Sequence, residues 1–212
     1  FDELRLGGSA FAQSLNKVGS DVPTVQNPEY FRDAFLAIQD LINKGLILAG
    51  HDISAGGLIT TLLEMCFANM EGGMEINLDK INCDDIVKIL FAENPGIVIQ
   101  VADKHKAEVK QILENAGVGY IKLGKPTEER HILVTKDDAT YQFGIDYLRD
   151  VWYSTSYLLD RKQSMNGCAK KRFENYKQQP VEFAFDPSFT GKLSQFGLNP
   201  DRRTPSGIKA AI

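Results

Sequence analysis

Apolar positions along the chain recur with two different periods, and the switches between them mark out the elements. Phe31, Ala34, Phe35, Ile38, Leu41 and Ile42 follow the spacing of an amphipathic helix. Asn27 and Pro28 supply its cap and first-turn proline, and Gly45 its stop. Leu46–Ala49 is apolar without alternation, which predicts a strand covered on both faces. Leu58, Leu62, Leu63, Met65, Cys66 and Phe67 return to helical spacing, and Glu71-Gly72-Gly73 breaks the helix after Met70. Met74–Leu78 alternates as a half-buried strand does. Asp84–Phe91 predicts a short helix, Glu93-Asn94-Pro95-Gly96 a structural turn and Ile97–Val101 a strand. Lys104–Ala116 predicts a helix closed by Gly117.

Three further segments complete the first part of the chain. Ala10–Val18 has helical spacing at Phe11, Leu15 and Val18, directly after the turn Gly7-Gly8-Ser9. Tyr120–Leu123 predicts a short strand, and His131–Thr135 with Thr140–Phe143 a hairpin around Lys136-Asp137-Asp138-Ala139. Strands and helices mix without strict alternation, so the expected class is α+β, a three-layer mixed sheet with packed helices. After residue 144 the character changes. Ile145–Gln163 predicts a helix through Leu148, Val151, Trp152, Thr155, Leu158 and Leu159, and Cys168–Tyr176 a more polar one. From Gln178 onward Pro180, Pro187, Pro200 and Pro205 interrupt a stretch without apolar period, as in an extended connector. The expected domains are therefore 1–144 and 145–212.

Composition narrows the function classes only modestly. The chain has 212 residues, of which 43% are hydrophobic and 25% charged, the balance of an ordinary globular protein. Its net charge of −4 gives no general attraction to nucleic acid. No apolar run is long enough to predict a membrane span. Cys66, Cys83 and Cys168 lie far apart with no CxxC pair, which argues against a zinc site or a disulfide framework and suits a reducing compartment, so a cytoplasmic location is expected. Phe1 in place of Met and the abrupt end at Ile212 suggest a part cut from a longer polypeptide.

The stretch that carries candidate chemistry is Gly50-His51-Asp52-Ile53-Ser54-Ala55-Gly56-Gly57, between the apolar run and the helix that opens at Leu58. A helix N-terminus attracts anions, and glycines let a phosphate approach the backbone. Asp52 is the type of ligand that holds a Mg²⁺ bridging such a phosphate, and Ser54 could bond it. The plainer alternative is that Asp52 and Ser54 cap the helix and that Gly56 and Gly57 only permit close packing. His51 is read as a structural, hydrogen-bonded histidine before a base or ligand. Gly7, Gly8 and Ser9 form a second glycine turn before a helix, either a ligand cleft or a tight turn.

Three motifs in order, Leu6-Gly7-Gly8-Ser9-Ala10-Phe11-Ala12-Gln13, His51-Asp52-Ile53-Ser54-Ala55-Gly56-Gly57-Leu58 and Phe91-Ala92-Glu93-Asn94-Pro95-Gly96, resemble the phosphoribosylformylglycinamidine synthase family in its large, single-chain form. The resemblance falls in the second of its two domains of the aminoimidazole ribonucleotide synthase C-terminal type. Leu148–Tyr157 resembles the helix that follows, and Arg202-Arg203-Thr204-Pro205 the approach to a glutaminase domain. The family makes an amidine from an amide: ATP phosphorylates the formamide oxygen of formylglycinamide ribonucleotide, and ammonia drawn from glutamine displaces the phosphate. The resemblance implies that Asp52 is a Mg²⁺ ligand and that Ser54 contacts an ATP or ADP. It implies upstream synthase-like domains and a downstream glutaminase domain as partners. It leaves residues 145–212 as the connector to the latter. Ala55 departs from relatives that carry an acidic residue there. The expected segment is a scaffold and nucleotide-holding part without catalytic residues of its own, either within that ligase or as a purely structural nucleotide module.

Overall fold

Five of the six strands and all five helices of the first part are built from segments that the apolar pattern singles out, but several are displaced along the chain. The computed structural model describes residues 3–178, 184–199 and 201. Arg202, Arg203, Thr204 and the prolines at 180, 200 and 205 lie outside them. Contacts divide the chain into a unit ending at Phe173 and a second beginning at Glu174.

In the first unit, Asn27 caps α2 (Pro28–Asn43) by accepting the Tyr30 amide. Gly45 at φ 66° then turns the chain, and the Leu46 amide donates back to the Leu41 carbonyl. This exit consumes the apolar run expected to be a strand. Leu46 is buried against α2, and the strand β1 instead occupies Ala49–Ile53. It pairs antiparallel with β3 (Gly96–Gln100), His51 facing Val98 and Asp52 facing Ile97. The two form a separate ribbon, and β1 is partly exposed rather than covered on both faces.

One side of this ribbon meets α2 and α5 (Lys106–Asn115), where Ala37, Leu41, Leu46, Val109 and Leu113 are buried with Ile47 and Ile99 against them. The other side meets α3 (Gly57–Phe67), which is buried along most of its length at Leu58, Ile59, Leu62, Leu63 and Cys66. The short α4 (Ile86–Phe91), capped by the Asp85 carboxylate, packs on α3. Beyond it lies a four-stranded sheet of β2 (Gly73–Asn77), β4 (Gly124–Thr127), β5 (His131–Lys136) and β6 (Ala139–Gly144) in the order β4-β2-β5-β6. Only the β2–β5 pair is parallel. Ile76, Ile132 and Val134 line its inner face. The class is α+β with mixed pairing and packed helices, its strands divided between two sheets.

Other boundaries also shift. Tyr120–Leu123 forms no strand; β4 follows it, after the Leu123 carbonyl has accepted the Asn77 amide. The helix expected over residues 10–18 stops as α1 (Ala10–Ser14), because Asn16 adopts φ 55° and the chain folds back until the Val18 carbonyl takes the Gly8 amide. The helix α6 (Ile145–Gln163) has the bounds its spacing predicts and packs on α3. Arg130 joins the two: its Nε donates to Asp146 at 3.0 Å and its Nη1 to the carbonyl of Cys66 at 3.1 Å. The helix α7 (Cys168–Glu174) is tied to α6 by Arg172, which donates to both oxygens of Asp160. In the second unit, Phe185 stacks on Phe189 with centroids 5.0 Å apart, and a short 3₁₀ turn spans Leu193–Phe196.

Candidate functional site

The register of β1 sets the directions of the motif's side chains, since successive residues of a strand face opposite sides. Ile53 turns toward α3 and joins its core. His51 turns the same way and is met by Glu64 of α3, whose Oε2 lies 3.2 Å from His51 Nε2. Asp52 turns outward, and its side chain is 75% exposed. The next residues leave the strand, Ser54 exposed and Gly56 in the left-handed region at φ 88°.

Neither Asp52 nor Ser54 caps α3. The cap position belongs to Gly56, with no side-chain hydrogen bond to the first turn. The Ser54 carbonyl accepts the Gly57 amide at 3.0 Å, while the Ser54 hydroxyl has no hydrogen-bond partner among the described residues. The Asp52 carbonyl is held by Thr61 Oγ1 at 3.0 Å and by His51 Nδ1 at 2.8 Å. Its carboxylate has one neighbour of opposite character, His51 Nδ1 at 3.4 Å. The His51 ring places Nδ1 2.8 Å from the Asp52 carbonyl oxygen and Nε2 3.2 Å from the Glu64 carboxylate.

The two glycine turns come together, but a carboxylate of the chain already occupies them. Glu93 Oε1 accepts the Gly56 amide at 2.7 Å and the Ala10 amide at 2.8 Å. Asn94 ties the same corner by accepting the Arg5 amide and donating to the Glu3 carbonyl. Phe11 stacks on Phe91 with centroids 4.7 Å apart. The amides of Gly7, Gly8 and Ser9 donate to Asp21, Val18 and Leu6. Ser9 is buried, its hydroxyl capping Ala12 and donating to the Leu6 carbonyl at 2.6 Å. Gly7 is a glycine because a Cβ there would lie 2.5 Å from the Asp21 carbonyl oxygen. The amides of Gly7, Gly8, Ser9, Ala10, Gly56 and Gly57 are therefore all used internally. What the corner leaves facing outward is side-chain chemistry, Asp52 and Ser54, rather than a backbone cradle.

Sequence reasoning missed Glu93, Glu64, Thr61 and Trp152. The first was read as part of a turn. The next two are polar residues on an otherwise apolar helix, and that contrast was the available signal; Thr61 is 1% exposed. The indole N–H of Trp152 donates to Glu64 Oε1 at 2.8 Å. Two grooves of the fold lie elsewhere, one between α2 and α5 at Ala37, Asp40 and Ile112, the other on the outer sheet face at Asn77, Lys122 and Thr135. Among the described residues no three His, Cys, Asp or Glu side chains form a closed metal cage. Burial pushes the Cys66 thiol up, partly opposed by Arg130, so it is a core residue and a poor nucleophile.

Residues 2–137 match the family model described as AIR synthase related protein, C-terminal domain. The chain is 35% identical over 225 aligned residues to the probable phosphoribosylformylglycinamidine synthase, chloroplastic/mitochondrial, of Arabidopsis thaliana, covering 98% of this chain and 16% of that protein. It is 33% identical over 190 residues to phosphoribosylformylglycinamidine synthase of Homo sapiens, covering 87% of this chain and 14% of that protein. It thus spans about one-sixth or less of the length of these relatives. Among solved structures, phosphoribosylformylglycinamidine synthase II of Thermotoga maritima superposes with a TM-score of 0.53 at 16% identity, over 68% of this chain and 24% of that one. The T. maritima PurL complexed with ATP gives 0.53 at 16% identity, over 59% of this chain and 22% of that one. At this identity the likeness is one of fold.

Proposed function

The chain belongs to the family of AIR synthase related proteins, C-terminal domain, and on that premise we propose that it is a segment of a phosphoribosylformylglycinamidine synthase contributing to a Mg²⁺–nucleotide site. The observation that carries this reading is the pairing of an outward Asp52 carboxylate with a Ser54 hydroxyl, two residues on, that has no hydrogen-bond partner among the described residues, within a chain one-third identical to such synthases. Residues 1–144 are the synthase-like domain in this proposal, and 145–212 the connector toward a glutaminase domain.

The donor set fits Mg²⁺. That ion is usually bound by one or two carboxylates together with phosphate oxygens rather than by an all-protein cage. Asp52 supplies one carboxylate; further ligands belong to polypeptide outside this segment. Bound there, Mg²⁺ would neutralise phosphate charge. Ser54 Oγ would donate to a phosphate oxygen. Glu93 withdraws the turn amides from ligand binding and fixes the corner on which both side chains stand. His51, Gly7, Gly8, Ser9, Gly56 and Gly57 then shape the corner without touching the ligand.

In the parent protein the proposed reaction consumes ATP, glutamine and formylglycinamide ribonucleotide in a cytoplasmic setting. ATP phosphorylates the formamide oxygen, and ammonia from glutamine then displaces phosphate to give the amidine. The segment itself is proposed to catalyse no step. Its cysteines sit in no Gly-x-Cys-x-Gly elbow, and Cys66 is buried. A purely structural nucleotide-holding role is the alternative within the same site, and the open position of Asp52 suits a held as well as a turned-over nucleotide.

Asp52→Asn in the full-length parent tests the reading. The expected result is loss of retained Mg²⁺–ADP after gel filtration, with the protein still folded. Unchanged nucleotide content would refute the assignment of Asp52.

A further inference from the structure

Thr61 and Glu64 lie one turn apart on α3 and act on the same peptide group of β1. Thr61 Oγ1 donates to the Asp52 carbonyl directly, at 3.0 Å. Glu64 reaches it through His51: Oε2 lies 3.2 Å from Nε2, and Nδ1 of the same ring lies 2.8 Å from that carbonyl oxygen. The remaining Glu64 oxygen accepts the Trp152 indole N–H at 2.8 Å. The Trp152 ring lies against Phe67 of α3 with centroids 5.2 Å apart. A continuous line of polar contacts therefore runs from α6 through α3 to the backbone of Asp52. An exposed carboxylate gains little direction from its own contacts. Its aim is set by the peptide that carries it, so what fixes that peptide fixes the ligand.

We infer that Glu64 is a positioning residue for Asp52, and through it for a Mg²⁺–nucleoside diphosphate held there. The second part rests on the reading of that site given above.

The test uses the full-length parent, its Glu64→Gln and Trp152→Phe variants, and Mg²⁺–ADP as the probe. Equilibrium dialysis with labelled ADP measures binding, and amide exchange read by mass spectrometry measures order in residues 49–53. Glu64→Gln is expected to weaken binding about tenfold, and to speed exchange over 49–53 while leaving 131–136 unchanged. Trp152→Phe keeps the Glu64–His51 contact and is expected to bind ADP with a smaller loss. Wild-type exchange over 49–53 in Glu64→Gln overturns the positioning role, whether or not nucleotide binds. Faster exchange over 49–53 in Glu64→Gln, in a parent that holds no ADP, upholds the positioning role and removes the nucleotide reading.

Discussion

The Glu93 carboxylate accepts the Gly56 amide at 2.7 Å, although the two residues are 37 apart in sequence. The same oxygen takes the Ala10 amide at 2.8 Å, so one side chain closes two glycine turns that each resemble a place for a phosphate. A charged acceptor on two backbone donors is a stronger tie than a neutral pair. It also explains why three motifs scattered over the first 96 residues form one corner.

Glu93→Ala leaves both amides without that acceptor and is expected to cost about 2 kcal/mol of stability. Glu93→Gln keeps a neutral oxygen acceptor and should cost less. Urea unfolding of the two variants beside the wild type measures the difference. Equal stability of all three would mean that the two turns hold without the carboxylate.

Gly57 adopts φ 72°, and a Cβ there would lie 2.7 Å from the Leu90 carbonyl oxygen and from Phe91. Gly117 adopts φ 66° with open space around it. Gly117→Ala should therefore cost only the left-handed backbone penalty, about 1 kcal/mol, whereas Gly57→Ala should cost more than about 3 kcal/mol because α3 must also move off α4. Thermal unfolding of both variants checks the order.

Asp52→Asn should leave the melting temperature of the chain unchanged within about 1 °C, because the carboxylate is exposed and caps nothing. A helix-capping aspartate would instead lose about 1 kcal/mol on substitution. Calorimetry of the variant thus separates the two roles weighed for this residue.

Hydrogen bonds from the Arg172 guanidinium, and then from the Ser164 hydroxyl, hold the Asp160 carboxyl below the usual carboxylate range. The folded value is depressed, so the linked stability is present above the unfolded value of about 4 and is lost as pH falls through the folded one. The protection of amides in residues 168–174, relative to their intrinsic exchange rates, should fall on acidification below about pH 4. Asp160→Asn should show low protection already at neutral pH and little further loss in acid.

Periodicity was enough for elements that carry their own boundary chemistry. The helix α2 has its cap, its first-turn proline and its terminal glycine in the sequence, and α6 has the bounds its apolar spacing indicates. Periodicity misplaced β1, because Leu46 and Ile47 are apolar for the sake of the α2–α5 core rather than for a strand. It misplaced β4 because a strand of Gly, Lys, Pro and Thr has no apolar pattern to read; its partner β2 makes it a strand. At the site, the order His-Asp-x-Ser was legible, and so were the alternatives of ligand and cap. The choice against capping needed the positive φ of Gly56, which hands the cap position to a residue with no side chain.

The sequence by itself determined the α+β class, the positions of the principal helices, the family resemblance and the candidacy of Asp52 and Ser54, with ligand and cap both open. These follow from local spacing and residue chemistry, which act over a few residues at a time. Only the tertiary structure decided that Glu93 fills the glycine turns and that Glu64, His51 and Trp152 are joined. Those contacts span 37 and 83 residues for Glu93, and 88 for Trp152 with Glu64. Such pairings depend on how sheet, ribbon and helices pack, and that packing has no signature within any one stretch of the chain.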